Sequence, residues 1–149
     1  MCSIMCLTDK ACPEEEYLPA FNRTTMRGPD MSRVLETESG LFLYHRLAIM
    51  DLSEMGMQPF SLGKNALICN GEIYGFRKII ERLSRAGYAF RTGSDCEVLL
   101  PMYEKYGTGM FEKLDAEFAL VLYDGEKDLY IAARDPIGIR PLFYGYSLR

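Results

Sequence analysis

The amino-acid sequence predicts a single α+β domain built from layers of helix and antiparallel sheet. Strand-like segments lie near both ends of the chain with two helices between them, an order typical of an α+β fold and unlike a parallel βαβ sheet. The chain has 149 residues, of which 48% are apolar and 26% charged, values typical of one folded domain. We therefore expect one domain over residues 1–149 and no disordered, collagen-like or low-complexity part.

The first half of the chain holds short strand-like segments separated by turn signals. An apolar segment at Ser3–Leu7 indicates a buried strand, and residues 14–26 indicate a weak helix that Pro19 disturbs. Further strands are predicted at 41–44, 46–50 and 66–69. Turns are predicted at Arg27-Gly28-Pro29-Asp30 and at Asn70-Gly71, the second of which would end the strand before it.

Two helices follow, and their apolar residues recur at helical spacing. The first ends before Gly87, and its apolar face is formed by Phe76, Ile79, Ile80 and Leu83. The second is predicted to begin with a capping box at Ser94 and Glu97 and to run to Gly107. Pro101 falls inside it, so we expect a kink or an early break there.

The last third of the chain is rich in strand-like segments again. Residues 117–123 and 129–133 are predicted to form a hairpin connected at 124–127. Turns at Asp135-Pro136 and Gly138 precede a last strand at 142–146, with Phe143 and Tyr144 expected in the core.

The charge and hydropathy of the chain exclude several functional classes. It has 17 basic and 21 acidic residues and a net charge of −4, which argues against binding nucleic acid or an anionic membrane through bulk charge. No apolar run approaches the roughly 18 residues that a membrane helix needs, and the N-terminus lacks the features of a signal peptide. We expect a cytoplasmic protein.

The cysteine and histidine content argues against a disulfide framework and against a metal site. The five cysteines are odd in number, contain no CxxC pair, and are Cys2, Cys6, Cys12, Cys69 and Cys96. His45 is the only histidine, and the spacing of the first three cysteines does not match known zinc ligand sets. We expect no metal and no cofactor.

Cys2 directly follows Met1, and this position would allow its thiol to act as a nucleophile. If Met1 is removed, one residue carries both a thiol and a free α-amino group. The amine titrates near ~7.7–8.0 and can act as the base that converts the thiol to the attacking thiolate. The arrangement is that of an N-terminal nucleophile.

A series of short motifs follows in order along the chain. They are Arg27-Gly28-Pro29-Asp30, Arg46-Leu47-Ala48-Ile49, Gly56-Met57-Gln58-Pro59, Asn70-Gly71-Glu72-Ile73-Tyr74, Ser94-Asp95-Cys96-Glu97 and the segment from Arg134 to Leu142. The series resembles the class II, or N-terminal nucleophile, glutamine amidotransferase domain, most closely the glutaminase domain of glutamine-hydrolysing asparagine synthetases. The resemblance extends from Met1 to about Gly145.

The resemblance implies both a fold and a reaction. The fold would be of the Ntn-hydrolase type, a four-layer αββα sandwich of antiparallel sheets. The reaction would be hydrolysis of L-glutamine to glutamate and ammonia through a thioester on Cys2. The ammonia would pass to an ATP-dependent synthetase domain or subunit.

The resemblance also assigns roles to five further residues. Arg46 would bind the α-carboxylate of glutamine, which suits a planar two-bond guanidinium contact, and Asp95 and Glu72 would bind the α-ammonium. The Asn70 side chain and the Gly71 backbone N–H would form the oxyanion hole. His45, which precedes Arg46, is expected to be structural.

The sequence departs from the family pattern in two ways. Ser3 stands where the family has Gly after the nucleophile, Met26 replaces a His, and Gly75 replaces an Asn. The family domain also continues with further strands and with a synthetase domain whose Ser-Gly-Gly-x-Asp-Ser loop is absent here. We therefore expect a glutaminase domain that is incomplete at its C-terminus, with no synthetase domain.

Two other functions stay open at this point. The chain could be an inactive glutaminase-like domain that binds glutamine or docks to a partner. It could also belong to another class II amidotransferase, acting on a sugar phosphate or a phosphoribosyl substrate, although the Asn-Gly-Glu-Ile-Tyr and Arg-Leu-Ala-Ile patterns argue against this. A homodimer is likewise open.

Overall fold

The computed structural model describes residues 1–146, which form two antiparallel sheets and three α-helices. The first sheet has the order β1-β3-β2 and the second the order β4-β5-β6-β7. The strands are β1 Ser3–Leu7, β2 Met31–Glu36, β3 Leu41–Arg46, β4 Phe60–Leu62, β5 Asn65–Ile73, β6 Ala116–Asp124 and β7 Leu129–Arg134. The helices are α1 Glu14–Asn22, α2 Phe76–Ser84 and α3 Leu99–Tyr106.

The elements stack in four layers, and three apolar clusters hold the layers together. Between the sheets, Phe42 and Tyr44 of β3 pack against Ile68 of β5 and Val121 of β6. Phe21 of α1 packs with Leu41 and Leu43 on the outer face of the first sheet. The helices α2 and α3 cover the outer face of the second sheet, where the buried side chains are chiefly Leu67, Ile73, Leu83, Leu99, Met102 and Leu120. This confirms the predicted α+β sandwich.

The two central strands β5 and β6 are apolar on both faces because both faces are covered. On β5, Leu67 and Cys69 face the helices while Ala66 and Ile68 face the first sheet. A strand buried on both sides loses the alternation of polar and apolar residues that marks a half-buried strand. This explains why β5 reads as a continuous apolar run.

The N-terminal elements differ in length from the prediction. Helix α1 continues through Pro19, because the missing N–H of a single proline removes only one helical hydrogen bond. The helix ends at Asn22, before the predicted end at residue 26. The strands predicted at 41–44 and 46–50 are one strand, β3, that ends at Arg46. Two strands were not predicted: β2 is a largely exposed edge strand with a mixed sequence, and β4 has three residues.

The predicted turn at Asn70-Gly71 is wrong, because β5 continues through both residues to Ile73. Gly71 lies directly opposite Phe118 of β6. A Cβ on Gly71 would lie 2.5 Å from the carbonyl oxygen of Glu117, so a glycine is needed for close approach of the two strands and not for a turn.

The predicted capping box of the second helix is also wrong. The Ser94 side chain caps nothing, and the Glu97 carboxylate accepts hydrogen bonds from the backbone N–H of Arg91 and of Thr92 instead. Residues Asp95–Val98 form a 3-10 turn, and α3 begins at Leu99. Pro101 therefore lies in the first helical turn, where proline is tolerated.

The C-terminal hairpin is confirmed, but the strand predicted at 142–146 is not present. Phe143 and Tyr144 are 90% and 95% exposed, so the prediction that they lie in the core is wrong. Asp135 directly follows β7. Its carboxylate accepts hydrogen bonds from backbone N–H groups of Ile137, Gly138, Ile139 and Arg140 in the next turn and of Phe118 in β6.

Candidate active site

A cleft of about 150 Å³ opens at the end of the sandwich where β1 begins and β3 ends. All six residues predicted from the sequence as catalytic or substrate-binding line it: Cys2, Arg46, Asn70, Gly71, Glu72 and Asp95. A second cleft, of about 310 Å³, lies at the opposite end of the sandwich between the strand-connecting turns. It contains none of the six, so the smaller cleft is the candidate site.

Cys2 is half-buried between the sheets and is held by the backbone that follows β3. The Leu47 N–H donates to the Cys2 Sγ at 3.4 Å, and the Tyr44 hydroxyl lies beside the thiol. Burial raises the pKa of Tyr44, and the neighbouring Cys2 raises it further, so Tyr44 stays a neutral phenol that can donate to sulfur. Cys6, on β1, is a thiol of a different kind. Burial raises its pKa to about 12 and keeps it protonated.

Ser3 does not obstruct Cys2. Successive residues of a strand point to opposite faces of the sheet, and the Ser3 hydroxyl donates to the Thr24 hydroxyl at 2.7 Å on the α1 side. The other two departures from the family pattern are also harmless to the cleft. Met26 is exposed, and Gly75, at φ +66°, is the residue before α2 and has nothing within 4 Å of where a Cβ would lie.

Arg46 brings a buried positive charge to the cleft. It is 4% exposed, and its guanidinium donates to the carbonyl oxygens of Asp51 and of Ser53, the latter at 2.6 Å. Gly56 provides the space, because a Cβ there would lie 2.5 Å from the Arg46 Nη2. Within residues 1–146 no carboxylate oxygen lies within ion-pair distance of this guanidinium. A buried cation without an anionic partner is suited to an anionic ligand.

The edge of β5 beyond β4 supplies backbone donors to the cleft. Because β4 pairs only as far as Leu67, the N–H groups of Cys69, Gly71 and Ile73 on this edge need other acceptors. Cys69 N–H donates to the Gln58 Oε1 at 2.6 Å, and Ile73 N–H donates to the Asp95 Oδ2 at 2.7 Å.

The Gly71 N–H lies between those two and points into the cleft. The Phe118 carbonyl accepts from the Asp135 N–H at 2.8 Å, on the side of β6 that faces away from β5. Phe118 and Gly71 are therefore directly opposite each other without exchanging hydrogen bonds. The N–H of Gly71 therefore points away from β6, and no acceptor for it is found in the described part of the chain. This is the geometry of an oxyanion donor.

Asn70 and Glu72 extend from the opposite face of β5, toward the first sheet. Asn70 is 8% exposed, and its side-chain amide makes no hydrogen bond to any described residue. Glu72 lies at the exposed rim of the cleft. Asp95 is 4% exposed and uses one carboxylate oxygen for Ile73, which leaves the other oxygen for a ligand. The cleft thus has a positively charged group, Arg46, and two negatively charged groups, Glu72 and Asp95.

Tyr44, Gln58 and Arg140 are among the lining residues to which sequence reasoning gave no role. Gln58 is fully hydrogen-bonded, donating to the Tyr44 hydroxyl at 3.1 Å and to the Cys69 carbonyl at 3.2 Å. Arg140 forms an ion pair with Glu117 of β6. The sequence did contain a signal for two of these residues, because Gln58 lies in the Gly56–Pro59 motif and Arg140 in the segment from Arg134 to Leu142.

Other motif residues support the site from outside the cleft. The Asp30 carboxylate accepts from the Ala48 N–H at 2.7 Å and so holds the segment after Arg46. His45 is 1% exposed on the α1 side of the sheet. Its ring stacks on Phe21 and bonds to the Ser32 hydroxyl, the structural role predicted for it.

Residues 1–146 have no candidate metal cluster, disulfide bond or membrane-spanning helix. In this range no three His, Cys, Asp or Glu side chains are arranged to hold a metal ion. The five cysteines are all free thiols. No helix in this range has the length and apolar character needed to cross a membrane.

Comparison with known proteins gives a consistent family match. The family model described as "Glutamine amidotransferase domain" matches residues 1–148. A probable glutamine-hydrolysing asparagine synthetase of Acanthamoeba polyphaga mimivirus is 39% identical over 156 residues, covering 99% of this chain and 28% of that protein. Asparagine synthetase B of Escherichia coli is 36% identical over 153 residues, covering 99% of this chain and 27% of that protein. The chain thus spans just over a quarter of the length of these relatives.

A solved structure shares the fold. The glutamine phosphoribosylpyrophosphate amidotransferase from B. subtilis, complexed with ADP and GMP, aligns with a TM-score of 0.57 at 23% identity. The alignment covers 69% of this chain and 24% of that one. At this identity the likeness concerns the arrangement of the sheets and helices alone.

Proposed function

From the premise that the chain belongs to the family of glutamine amidotransferase domains, we propose that residues 1–149 form a glutaminase domain that hydrolyses L-glutamine to glutamate and ammonia. One observation supports this proposal: three groups that are far apart in the sequence line one cleft. They are Cys2, the Arg46 guanidinium, which has no ion-pair partner among the described residues, and the free Gly71 N–H. The remaining steps follow from the chemistry of these groups.

Glutamine is held by its two charged α-substituents. Its carboxylate binds the Arg46 guanidinium, whose fixed fork matches the two carboxylate oxygens. Its ammonium binds the free oxygen of Asp95 and the Glu72 carboxylate at the opposite end of the cleft. Both α-substituents are then held, and the side-chain amide at the other end of the molecule is left to reach Cys2.

Removal of Met1 frees the α-amine of Cys2, which takes the proton of its own thiol. The thiolate attacks the amide carbon, and the carbonyl oxygen becomes an oxyanion that accepts from the Gly71 N–H and the Asn70 side-chain amide. The α-ammonium of Cys2 returns its proton to the departing nitrogen. Ammonia leaves and a γ-glutamyl thioester remains on Cys2.

The second half of the reaction uses the same groups. The α-amine of Cys2 takes a proton from water, and the resulting hydroxide attacks the thioester carbon. The same donors hold the second oxyanion, which collapses to release glutamate and the Cys2 thiol. The enzyme returns to its starting state with one amide bond hydrolysed.

The ammonia is passed to an ATP-dependent synthetase domain or subunit. This part of the proposal rests on relatives whose names describe glutamine-hydrolysing asparagine synthetases and whose length exceeds the matched region more than threefold. We place the reaction in the cytoplasm, where a reducing environment keeps the described thiols free.

Glutaminase assays of the parent, Cys2→Ala and Cys6→Ala test the proposal. Cys6 is the matched control, because it lies on β1, four residues after Cys2, and its thiol is kept protonated by burial. We expect Cys2→Ala to lose turnover but to keep its thermal unfolding and its glutamine binding, and Cys6→Ala to keep turnover. Parental activity in Cys2→Ala would assign the attack to another group and end the proposal, as would a correctly processed parent that does not hydrolyse glutamine.

A further inference from the structure

The pairing of β5 with β6 places two glutamates side by side at the rim of the cleft. Glu72 lies directly opposite Glu117, one residue along from the Gly71–Phe118 pair. Side chains of directly opposite residues extend from the same face of a sheet, with Cβ atoms roughly 5 Å apart. Like charges in such a pair repel each other and destabilise it. The strand register therefore creates an electrostatic conflict between Glu117 and Glu72, the carboxylate proposed above to bind the substrate.

Arg140 lies at this conflict and engages one of the two glutamates. Its Nη2 forms an ion pair with the Glu117 Oε1, and both side chains are largely buried, at 15% and 16% exposure. Its Nε is buried without a hydrogen-bond partner among the described residues. The backbone of Arg140 is fixed by Asp135, whose carboxylate accepts its N–H at 3.1 Å. Arg140 is thus anchored at the rim that Glu72 also lines.

We propose that the Glu117–Arg140 pair is a positioning device that keeps the Glu72 carboxylate free to bind the α-ammonium of glutamine. Glu117 holds Arg140, which would otherwise pair with Glu72 and compete with the substrate. Arg140 in turn neutralises Glu117, which would otherwise repel Glu72. The inference rests on the proposed glutaminase function and adds two positioning residues to it.

Other charged or titratable groups line the cleft together with Glu72. From the first sheet and the segments next to it come Cys2, Arg46 and Asp51, and from the 3-10 turn come Asp95 and Cys96. Tyr74 lies near Glu72, Glu117 and Arg140, and its pKa is raised by burial first and then by the two glutamates. None of these groups is changed in the variants below, so comparing each variant with the parent at the same pH cancels their contributions.

The two single variants have different consequences for glutamine binding. Glu117→Gln releases Arg140 to pair with Glu72, so KM for glutamine rises at every pH while kcat is retained. Arg140→Gln removes the competing cation itself, so KM of that variant stays close to that of the parent. The double variant Glu117→Gln/Arg140→Gln removes both the competitor and the repulsion.

The test is steady-state glutaminase kinetics of the parent and these three variants at one pH. Glu117→Gln should raise KM about fivefold, the change that corresponds to about 1 kcal/mol for a partly exposed ion pair, and the double variant should return KM to within about twofold of the parent. Glu126→Gln is the matched control, because it breaks the exposed Lys64–Glu126 pair at the far end of the sandwich and should leave KM unchanged. Thermal unfolding of each variant confirms that it is folded.

Three results would overturn the proposal. One is a parental KM in Glu117→Gln. Another is a double variant with the same raised KM as Glu117→Gln, which would make the pair a structural support only. The third is a raised KM in Arg140→Gln, which would make Arg140 a direct ligand of glutamine. If Glu117→Gln does not fold, the KM values of Arg140→Gln and of the double variant decide. Activity of the parent establishes the glutaminase function independently of all three results.

Discussion

Arg46 carries a buried positive charge toward the cleft and is held by backbone carbonyl groups. We predict that Arg46→Lys raises KM for glutamine by roughly tenfold or more and changes kcat less, since a point ammonium cannot make the planar two-bond contact with a carboxylate. Steady-state kinetics measure this, with Arg85→Lys at an exposed position of the helix α2 terminus as the control. A parental KM in Arg46→Lys would mean that the residue does not bind the carboxylate.

Asn70 has an almost buried amide that no described residue engages. We predict that Asn70→Ala lowers kcat more than it changes KM, because a donor aimed at the oxyanion acts in the transition state. The loss should stay below the roughly 10²–10³-fold seen when an oxyanion donor is removed from a protease, since the Gly71 N–H remains.

The control for this variant is Asn22→Ala, at the exposed C-terminal end of α1. Circular dichroism establishes that both variants are folded. If kcat of Asn70→Ala holds and only KM rises, Asn70 is a substrate-binding residue and not an oxyanion donor.

At the scale of single residues, motif reasoning identified six lining residues but not what holds them. Arg46 and Asp95 could be predicted to line the cleft because their charges match the α-substituents of glutamine, the substrate that we propose. The roles of Gln58 and Tyr44 could not, because Gln58 acts through the edge of β5 and Tyr44 through its position beside Cys2. Both depend on strand positions that the sequence does not specify.

At the scale of the element, Gly71 controls the approach of β5 to β6. We predict that Gly71→Ala destabilises the fold by about 1–3 kcal/mol, the range for overpacking, because its Cβ would lie 2.5 Å from the Glu117 carbonyl oxygen. Thermal and denaturant unfolding measure this. Gly109→Ala is the control, since nothing lies within 4 Å of its added Cβ. Equal stability of the two variants would show that the strands can separate at no cost.

Asp135 ties the end of β7 and the following turn to β6. Burial raises the pKa of its carboxyl, but hydrogen bonds from the N–H groups of Ile139, Arg140 and Gly138 outweigh this and lower the pKa to about 2 from 3.8. A lowered folded-state pKa gives stability that is complete above the unfolded pKa and is lost as the pH falls from about 4 through about 2.

We therefore predict that Asp135→Asn is less stable than the parent at neutral pH and loses less stability between about pH 4 and pH 2. Unfolding curves over this range measure the difference, with the exposed Asp115→Asn as the control. Parallel pH profiles for the parent and Asp135→Asn would contradict the role assigned to this carboxylate.

The elements also illustrate where sequence patterns mislead. Asn-Gly is a frequent turn dipeptide, yet here tertiary packing requires the glycine inside a strand. Ser94 and Glu97 have the spacing of a capping box, yet Glu97 binds the backbone N–H groups of the preceding loop. Helix α2 was predicted well, because four apolar residues on one face leave a single way to bury it.

At the scale of the whole molecule, the cleft exists because three strand ends meet. Cys2 directly precedes β1, β3 ends at Arg46, and β5 extends beyond its partner β4 to present Gly71. The layered fold could be predicted from the order of elements and the family resemblance. The strand register that opposes Glu72 to Glu117 could not, because it depends on pairing across more than forty residues.

The central claim is that Cys2, as the first residue of the processed chain, forms a thioester with the γ-carbonyl of glutamine. Mass spectrometry of the protein quenched with acid during turnover tests it most directly. The account predicts an N-terminal peptide that begins at Cys2 and is heavier by one glutamyl group, with Cys6, Cys12, Cys69 and Cys96 unmodified. An active sample that retains Met1, or that carries the glutamyl group on another cysteine, would contradict it.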